Sequence, residues 1–451
     1  MIYTSANSLP PGPRWPAAVQ LARYTLRPGP FLERCAARFG DPFTVKLAGY
    51  GSFVMVSSPE AIKDIFRGDP QVLHSGEANE FLSLTVGMSS VLVLDEEPHR
   101  RQRRVLLPPF QGERMRAFFG VMRAAADEEI GRWPVGRYFP VLPRMREITL
   151  QIILRAVLGL PAGDELDRLG RLVTRLLHFG GTRFALILVP LLPHWLLKES
   201  RWMPYYGHLK AVDEMLYAII ARRRAVGHNE RSDVLGDLLD ARHEEGQPLS
   251  DQEIRDAVIT MLVAGHETTT VALAWVFELV LARADVVDAI RTELAAVTGG
   301  STLEAEHLPR LEYLDAVIRE SLRLRTVIPF VTRLLKKSFV AGGREYPAGT
   351  NLSPCIHLVH RRPEVYSEPE QFRPERFLER RFGPNEWLPF GGGNRLCIGM
   401  AFALYEMKIV LATVFSKLTL ERPDRARTKM VRRGILIAPA DGTRLLVRAR
   451  R

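Results

Sequence analysis

Apolar residues recur every three or four positions along most of the chain, the spacing expected of helices that bury one face. This spacing predicts helices at residues 30–39, 115–133, 145–157, 215–225 and 308–324. Shorter runs with β-like composition predict strands at residues 43–47, 53–56, 333–340 and 444–447. We therefore expect a mainly α-helical protein with small β-sheets.

The longest periodic segment extends from Ser250 to Ala282 and predicts a helix of about eight turns, which is unusually long for a globular protein. Ser250 and Glu253 have the spacing of a capping box at its start. Its middle, residues 264–269, has the sequence AGHETT. A glycine and four polar residues destabilise an apolar helix unless they have partners.

Three interpretations of residues 264–269 compete. A loop between two helices is disfavoured because the apolar periodicity resumes at Val271. A zinc-binding helix is excluded because the H-E-x-x-H pattern begun by His266 and Glu267 has Thr270 in place of its second histidine. The third interpretation is a helix that passes over a cofactor and is kinked or widened to admit a small molecule.

A second segment carries metal-ligand chemistry. Residues 390–399 have the sequence FGGGNRLCIG, and an apolar helical pattern from Met400 to Leu418 follows them. The glycines let the backbone curl around Cys397, and the start of a helix favours the thiolate that binds metals. Arg395 is placed to pair with a carboxylate. A looser pattern of this kind would indicate only a glycine-rich turn that holds a buried structural cysteine.

The combination of Phe390, Gly393, Arg395, Cys397 and Gly399 resembles the heme-binding loop of the cytochrome P450 family, the heme-thiolate monooxygenases. The resemblance implies the cytochrome P450 fold, with heme b between a long distal helix and the cysteine loop with its proximal helix. Cys397 would be the axial ligand of the heme iron, and Phe390 would belong to the heme-binding residues.

By the same resemblance, the sequence from Ala264 to Thr268 matches the oxygen-binding groove of these enzymes. Ala264 and Gly265 would lie against the heme, Thr268 would donate a hydrogen bond to dioxygen, and Glu267 would relay protons from solvent. A reductase-independent isomerase or peroxygenase should lack the Glu–Thr pair. A non-catalytic heme-binding protein would have little use for it, so the pair favours the monooxygenase over these alternatives.

Further positions match the family. The residues that would bind the heme propionates are Arg395, His99, Arg103 and Arg333. Glu320, Arg323 and Arg376 would form a buried charge network with a structural role, and its disruption would block folding or heme retention.

Composition changes this picture only slightly. The 451 residues are 46% hydrophobic and contain no evident linker, so we expect a single domain over residues 1–451. Three scattered cysteines, Cys35, Cys355 and Cys397, favour a reducing compartment over a disulfide framework. Because the apolar N-terminal stretch is interrupted by arginines, we expect no membrane anchor and a soluble cytoplasmic protein.

The formal net charge of +11 raises the alternative of nucleic-acid binding. Residues 100–104 are basic but lack interleaved aromatics, and no DNA or RNA module signature is present, so we expect no nucleic-acid partner. A basic surface fits an acidic electron-transfer protein instead. Because few residues follow Cys397, we expect electrons from a separate ferredoxin and ferredoxin reductase.

The expected reaction inserts one oxygen atom from O2 into a lipophilic small molecule, such as a fatty acid, terpenoid or polyketide-like compound. The segment 327–331, which by resemblance lines the pocket together with Ala264, is mostly apolar. Residues 185–197 are strongly apolar and interrupted by prolines, which predicts an access-channel lid that touches membranes or, alternatively, a core-packing segment.

Overall fold

The structure is a computed structural model that describes residues 9–110, 112, 114–180, 204–226, 233–244, 246–423 and 428–451. The apolar segment at 185–197 lies outside the described residues, so its role stays a prediction.

The described residues are mainly helical, as predicted. The α-helices are Ala17–Leu26, Pro28–Phe39, Pro59–Arg67, Ser83–Val86, Glu96–Leu106, Arg114–Ala117, Phe119–Gly131, Val141–Leu158, Asp164–Gly180, Pro204–Val226, Val234–Asp240, Asp251–Val280, Ala284–Thr298, Glu312–Leu324, Ile356–Val359, Arg376–Glu379 and Met400–Lys417. Short 3-10 helices occupy Glu77–Leu82, Pro108–Phe110, Ala305–Arg310 and Gly393–Arg395. The pattern at 308–324 therefore belongs to two elements, a 3-10 turn and the helix Glu312–Leu324.

The strands of the described residues form small sheets. They are β1 Phe43–Leu47, β2 Gly51–Val56, β3 Leu73–His74, β4 Tyr138–Pro140, β5 Arg333–Leu335, β6 Phe339–Ala341, β7 Arg344–Tyr346, β8 Asn351–Pro354, β9 Leu418–Glu421, β10 Met430–Arg433, β11 Leu436–Pro439 and β12 Arg444–Arg450. The largest sheet has the order β1-β2-β8-β5-β3, and a second has the order β4-β12-β9. The pairs β6-β7 and β10-β11 stand apart.

The predicted strand at 333–340 is wrong in one respect, because the chain breaks it into β5 and β6. β5 pairs with β8 and β3, whereas β6 forms a hairpin with β7. Two different sets of partners require the chain to turn between them, and no local pattern reveals partners that are distant in sequence.

The long helix, Asp251–Val280, is the distal helix of the prediction. Its capping box is present: the Ser250 hydroxyl accepts from Glu253 N at 3.2 Å, and the Glu253 carboxylate accepts from Ser250 N at 2.9 Å. The helix is α-helical throughout, so a loop is excluded and the expected widened turn is not present. Among the described helices only this one is long and apolar enough to cross a membrane, and 72% of its most apolar window is buried, as in a core helix.

The distal helix is central to the main hydrophobic core. It packs most extensively against Val141–Leu158 and also contacts Glu312–Leu324 and Met400–Lys417, the cysteine helix. Gly265 permits the closest approach, because a Cβ there would lie 3.0 Å from the Ile153 side chain. The core therefore holds the distal helix and the cysteine helix in a fixed relation.

Candidate functional site

The cysteine loop, residues 390–399, is closed by its own backbone hydrogen bonds. Gly391 N donates to Leu388 O and Cys397 N donates to Phe390 O, both at 3.0 Å. Gly391 and Gly393 have φ angles of 70° and 67°, in the left-handed region that favours glycine. The loop therefore turns twice before it delivers Cys397 to the start of the cysteine helix.

Close packing explains Gly392 and gives a second reason for Gly393. Gly392 and Gly393 lie on Phe66, at the end of the helix Pro59–Arg67. A Cβ on Gly392 would be 2.3 Å from the Phe66 ring, and one on Gly393 would be 2.3 Å from the Phe66 carbonyl oxygen. Side chains at these positions would push the loop away from its support.

The Cys397 side chain is exposed to solvent, whereas Cys35 and Cys355 are buried. Protein nonetheless surrounds the sulfur closely on its other sides, and this burial raises the pKa of the Cys397 thiol, while the Gly399 N–H and the Arg103 guanidinium act in the opposite direction. The start of the helix favours the thiolate through the Gly399 N–H, as expected, but burial outweighs this effect. Coordination to a metal cation deprotonates a thiol outright and would supply the missing stabilisation.

The predicted propionate-binding residues lie in one cluster. Arg395 donates to Asp95 Oδ1 at 2.5 Å and to the carbonyl oxygens of Leu94 and Val91 at 2.6 and 3.1 Å. Burial lowers the pKa of Arg395 to about 10, and Asp95 opposes that shift. Arg103, in the same cluster, also has its pKa lowered by burial.

Arg333 is almost fully buried and has no carboxylate within ion-pair distance among the described residues. It donates to Ser75 Oγ at 3.1 Å and to Thr332 O at 3.0 Å. Burial, reinforced by Arg395, lowers the pKa of Arg333 to about 9. A buried guanidinium with only neutral partners is costly unless an anion joins it.

His99 is also buried, and burial together with the neighbouring arginines lowers its pKa to about 3. It is therefore neutral near pH 7 and would contribute a hydrogen bond to a propionate.

These residues fit a heme. Three guanidinium groups, those of Arg103, Arg333 and Arg395, are opposed in this cluster by the carboxylate of Asp95. The surplus of positive charge matches the two carboxylates of a protoporphyrin, and a solvent-facing thiol on a glycine-rich loop provides an iron ligand.

On the distal helix, Thr268 donates its hydroxyl hydrogen to Ala264 O at 2.6 Å. Ala264 is exposed and Thr268 is partly exposed, so this part of an otherwise buried helix faces an opening. Gly265 instead faces Ile153, whose side chain lies 3.0 Å from the position that a Cβ would take. The Gly265 carbonyl accepts from the Thr269 hydroxyl at 3.1 Å. Gly265 thus serves helix packing as well as the predicted groove.

Glu267 has a partner that sequence reasoning missed. Arg146, on Val141–Leu158, donates from Nε to Glu267 Oε1 at 2.8 Å, and both side chains are about four-fifths buried. A bond between residues 121 positions apart leaves no signal in a single sequence. The pair fixes the position of the Glu267 carboxylate beside the groove.

The predicted charge network is present. Arg323 donates to both Glu320 oxygens at 2.6 and 2.8 Å, and Arg376 Nε donates to Glu320 Oε1 at 3.1 Å. Arg323 also donates to His360 O at 2.6 Å, and His360 Nε2 accepts from Leu388 N at 2.9 Å. His360, which the sequence did not single out, therefore connects the network to the cysteine loop.

Comparisons with known proteins agree with this geometry. The family model for cytochrome P450 matches residues 9–446. The Mycobacterium tuberculosis protein named cytochrome P450 135B1 is 38% identical over 100% of this chain and 94% of its own length. Cytochrome P450 135A1 of the same organism is 35% identical over 99% of this chain and 96% of its own length.

Solved structures show the same similarity. The heme domain of cytochrome P450DA superposes with a TM-score of 0.85 at 26% identity and covers 98% of this chain and 97% of that one. A mutant of that heme domain gives a TM-score of 0.86 at 27% identity and covers 99% of this chain and 98% of that one. The chain therefore belongs to the cytochrome P450 family, and it is a heme-binding enzyme of the monooxygenase type.

Proposed function

We propose that this enzyme inserts one oxygen atom from O2 into a lipophilic small molecule, with electrons from a separate ferredoxin and ferredoxin reductase. Cys397 is the proposed ligand of a heme b iron. The proposal is carried by the cluster of Arg103, Arg333 and Arg395, whose positive charge exceeds the negative charge of Asp95. This cluster lies next to Cys397, whose side chain is open to solvent on one side. We place this activity in the cytoplasm and within a single domain.

The chain's residues have separate roles in this proposal. When bound, heme supplies the activation of dioxygen and the oxygen-transfer chemistry. Arg103, Arg333 and Arg395 bind its carboxylates, and neutral His99 adds a hydrogen bond. Phe390 O holds the Cys397 backbone N–H at 3.0 Å and so fixes the approach of the sulfur.

The residues beside the distal groove donate and transfer protons in this proposal. The Thr268 hydroxyl hydrogen, which now bonds to Ala264 O, can turn toward the opening and donate there instead. Glu267 is one-fifth exposed and adjoins Thr268 in the chain, so we assign it the transfer of protons from solvent to the groove. Arg146 positions Glu267 through its hydrogen bond at 2.8 Å.

The substrate class follows from the residues beside the groove. Val331 lies near the cysteine loop, since a Cβ on Gly391 would be 3.9 Å from its methyl group. Ile328 and Val331 are partly exposed apolar residues, and Ala264 is exposed on the distal helix. Such a lining binds hydrocarbon better than polar substrates. Fatty acids, terpenoids and polyketide-like molecules fit it.

A Thr268→Ala variant tests the assignment of a monooxygenase. With the lipophilic compound that most strongly shifts the heme spin state as substrate, we expect product formed per electron to fall at least about tenfold, because a positioned proton donor is lost. Thr270→Ala is the matched control, because Thr270 is buried and bonds to Thr149 at 2.7 Å on the other side of the helix. Unchanged coupling in Thr268→Ala, with turnover on peroxide alone, would favour the peroxygenase.

A further inference from the structure

Arg432, on β10, is a buried cation that has no anionic partner among the described residues. It is 6% exposed, and its Nε donates to Gly434 O at 2.8 Å. Its Nη1 atom is enclosed by protein and has no hydrogen-bond partner there. A buried guanidinium in this state destabilises the protein unless an anion joins it.

Two tyrosine rings enclose the guanidinium. The Arg432 Cζ atom lies 5.3 Å from the centre of the Tyr24 ring and 5.1 Å from the centre of the Tyr50 ring. Burial raises the pKa of the Tyr24 phenol, and Arg432 opposes that shift, so Tyr24 is uncharged near pH 7. The ring faces stabilise the cation in part, but they do not replace a hydrogen-bond acceptor for its N–H groups.

Arg432 lies apart from the cluster that fits the heme carboxylates. Besides burial, the groups that shift the pKa of Arg333 are Arg395 and Asp95, and Arg432 is not among them. An anion that pairs with Arg432 would therefore come from a different ligand.

A row of aromatic rings joins Arg432 to the residues beside the groove. The Tyr24 ring, which lies over Arg432, is 5.9 Å from the Phe330 ring between centres. Phe330 is partly exposed and belongs to the segment 327–331. Val331 follows it and lies near the cysteine loop. Two ring contacts therefore separate the guanidinium from the apolar lining of the proposed substrate site.

The β10-β11 hairpin is bonded to the same segment. Arg432 pairs with Ile437 across the hairpin. The Ile437 backbone N–H donates to Val327 O at 2.8 Å, and the indole N–H of Trp275, on the distal helix, donates to Ile437 O at 2.9 Å. The residue opposite Arg432 is thus fixed both to the segment 327–331 and to the distal helix.

Tyr50 gives the site a route to the surface. Tyr50 lies in the turn between β1 and β2 and is partly exposed, whereas Tyr24 is buried. Its ring meets the half-exposed ring of Phe81 edge-on at 6.1 Å. A rotation of the Tyr50 side chain would uncover the guanidinium to a ligand.

We propose that Arg432 binds the carboxylate of the substrate, and that the substrate is a lipophilic acid whose hydrocarbon extends past Phe330 toward the groove. A carboxylate accepts two N–H groups of a guanidinium side by side. This assignment narrows the substrate to fatty acids and terpenoid acids, and it places the oxidised carbon away from the carboxyl end. The inference rests on the proposed function for the oxidation, but not for the binding.

Calorimetric titration of the heme-loaded protein at neutral pH, without reductant, tests the site with dodecanoic acid and 1-dodecanol as probes. The two have the same chain length and differ in the head group. We expect the acid to bind at least about tenfold more tightly, the effect of hydrogen bonds to a charged group. Equal affinity, a preference for the alcohol, or no binding of the acid would overturn the assignment.

Arg432→Met removes the charge and keeps a long side chain. We expect its affinity for dodecanoic acid to fall about tenfold and its affinity for 1-dodecanol to change less than about twofold. Arg432→Lys should retain a preference for the acid. Arg433→Met is the matched control, because neighbouring residues of a strand point to opposite faces, and it should leave both affinities unchanged.

An equal loss of affinity for both probes in Arg432→Met, with lower stability in urea, would show a purely structural arginine and refute the site. The comparison of the two probes in the unsubstituted protein does not depend on a variant that folds. Because the titration requires no turnover, it reports on Arg432 even if the proposed oxidation fails. Equal affinity for the probes would in turn leave a monooxygenase that acts on neutral substrates.

Discussion

At the scale of single residues, His266 is the clearest unpaired group. It is fully buried, and neither ring nitrogen has a hydrogen-bond partner within the geometric limits among the described residues. The Arg146 backbone nevertheless lies near enough to oppose the lowering of the His266 pKa. Burial lowers the pKa of His266 to about 4, and Glu267 opposes the shift. The unfolded chain takes up a proton here below about pH 6.5, and the folded chain does not until about pH 4. Stability therefore falls as pH decreases through this window.

A His266→Leu variant should reduce this acid sensitivity. Because the ring makes no hydrogen bond, we expect the free energy of unfolding at pH 7.5 to be maintained or raised by about 1 kcal/mol. Its loss between pH 7.5 and pH 5 should be smaller than in the unsubstituted protein by roughly 2 kcal/mol. Urea unfolding at the two pH values measures both quantities. An unchanged pH dependence would show that His266 is not neutral in the folded state.

Some residues of the site could be predicted from the sequence, and others could not. Cys397 and Glu267 could be found because a spacing pattern surrounds each of them. Asp95 and Arg146 could not, because each is defined by a partner far away in the chain: Asp95 pairs with Arg395, 300 residues on. His99 was found, but the burial that lowers its pKa is not visible in its local sequence.

At the scale of elements, the cysteine loop depends on its contact with the helix Pro59–Arg67. The loop can approach Phe66 only where Gly392 and Gly393 leave space for it. The sequence predicted these glycines as a turn around the cysteine. It did not reveal the helix against which they pack, since that contact spans more than 300 positions.

Gly393→Ala should displace the loop. A Cβ there meets the Phe66 carbonyl oxygen, and the φ angle of 67° is unfavourable for alanine. We expect a loss of about 2–4 kcal/mol in the free energy of unfolding and weaker heme retention. Gly383→Ala is the control, because a Cβ there makes only an ordinary contact at 3.5 Å with Glu386. Equal stability and heme content in the two variants would contradict this account of the loop.

The distal helix was predicted almost to the residue, because its capping box and apolar periodicity are local features. The predicted widening did not appear, since α-helical hydrogen bonding continues through Ala264–Thr269. In its place the hydroxyls of Thr268, Thr269 and Thr270 bond to carbonyls four residues back. These hydrogen bonds satisfy the threonine hydroxyls, which would otherwise destabilise an apolar helix.

At the scale of the whole molecule, the net charge of +11 includes exposed arginines near the cysteine helix. Arg101 and Arg116 are exposed and make no ion pair among the described residues. Arg101 is on the outer side of the helix that carries His99 and Arg103. Arg116 borders a cavity of about 260 Å³ on the cysteine helix, together with Tyr405 and Lys408. Under the proposed function, these exposed cations would attract an acidic electron donor.

Reversing the charge at both positions, Arg101→Glu with Arg116→Glu, should weaken that encounter. We expect the KM for reduced ferredoxin to rise about tenfold at low salt and the difference to shrink as salt is added. Arg137→Glu is the control, because Arg137 is exposed beside β4, beyond the far end of the cysteine helix. A KM unaffected by the double reversal would place the electron donor elsewhere.

The central claim is that Cys397 binds heme iron as a thiolate. The most direct test is the absorption spectrum of the purified, heme-loaded protein after reduction and exposure to carbon monoxide. We predict a strongly red-shifted Soret band, which Cys397→Ser should abolish without unfolding the protein. A Soret band at the position of histidine-ligated heme proteins, in well-folded and unsubstituted protein, would contradict the assignment.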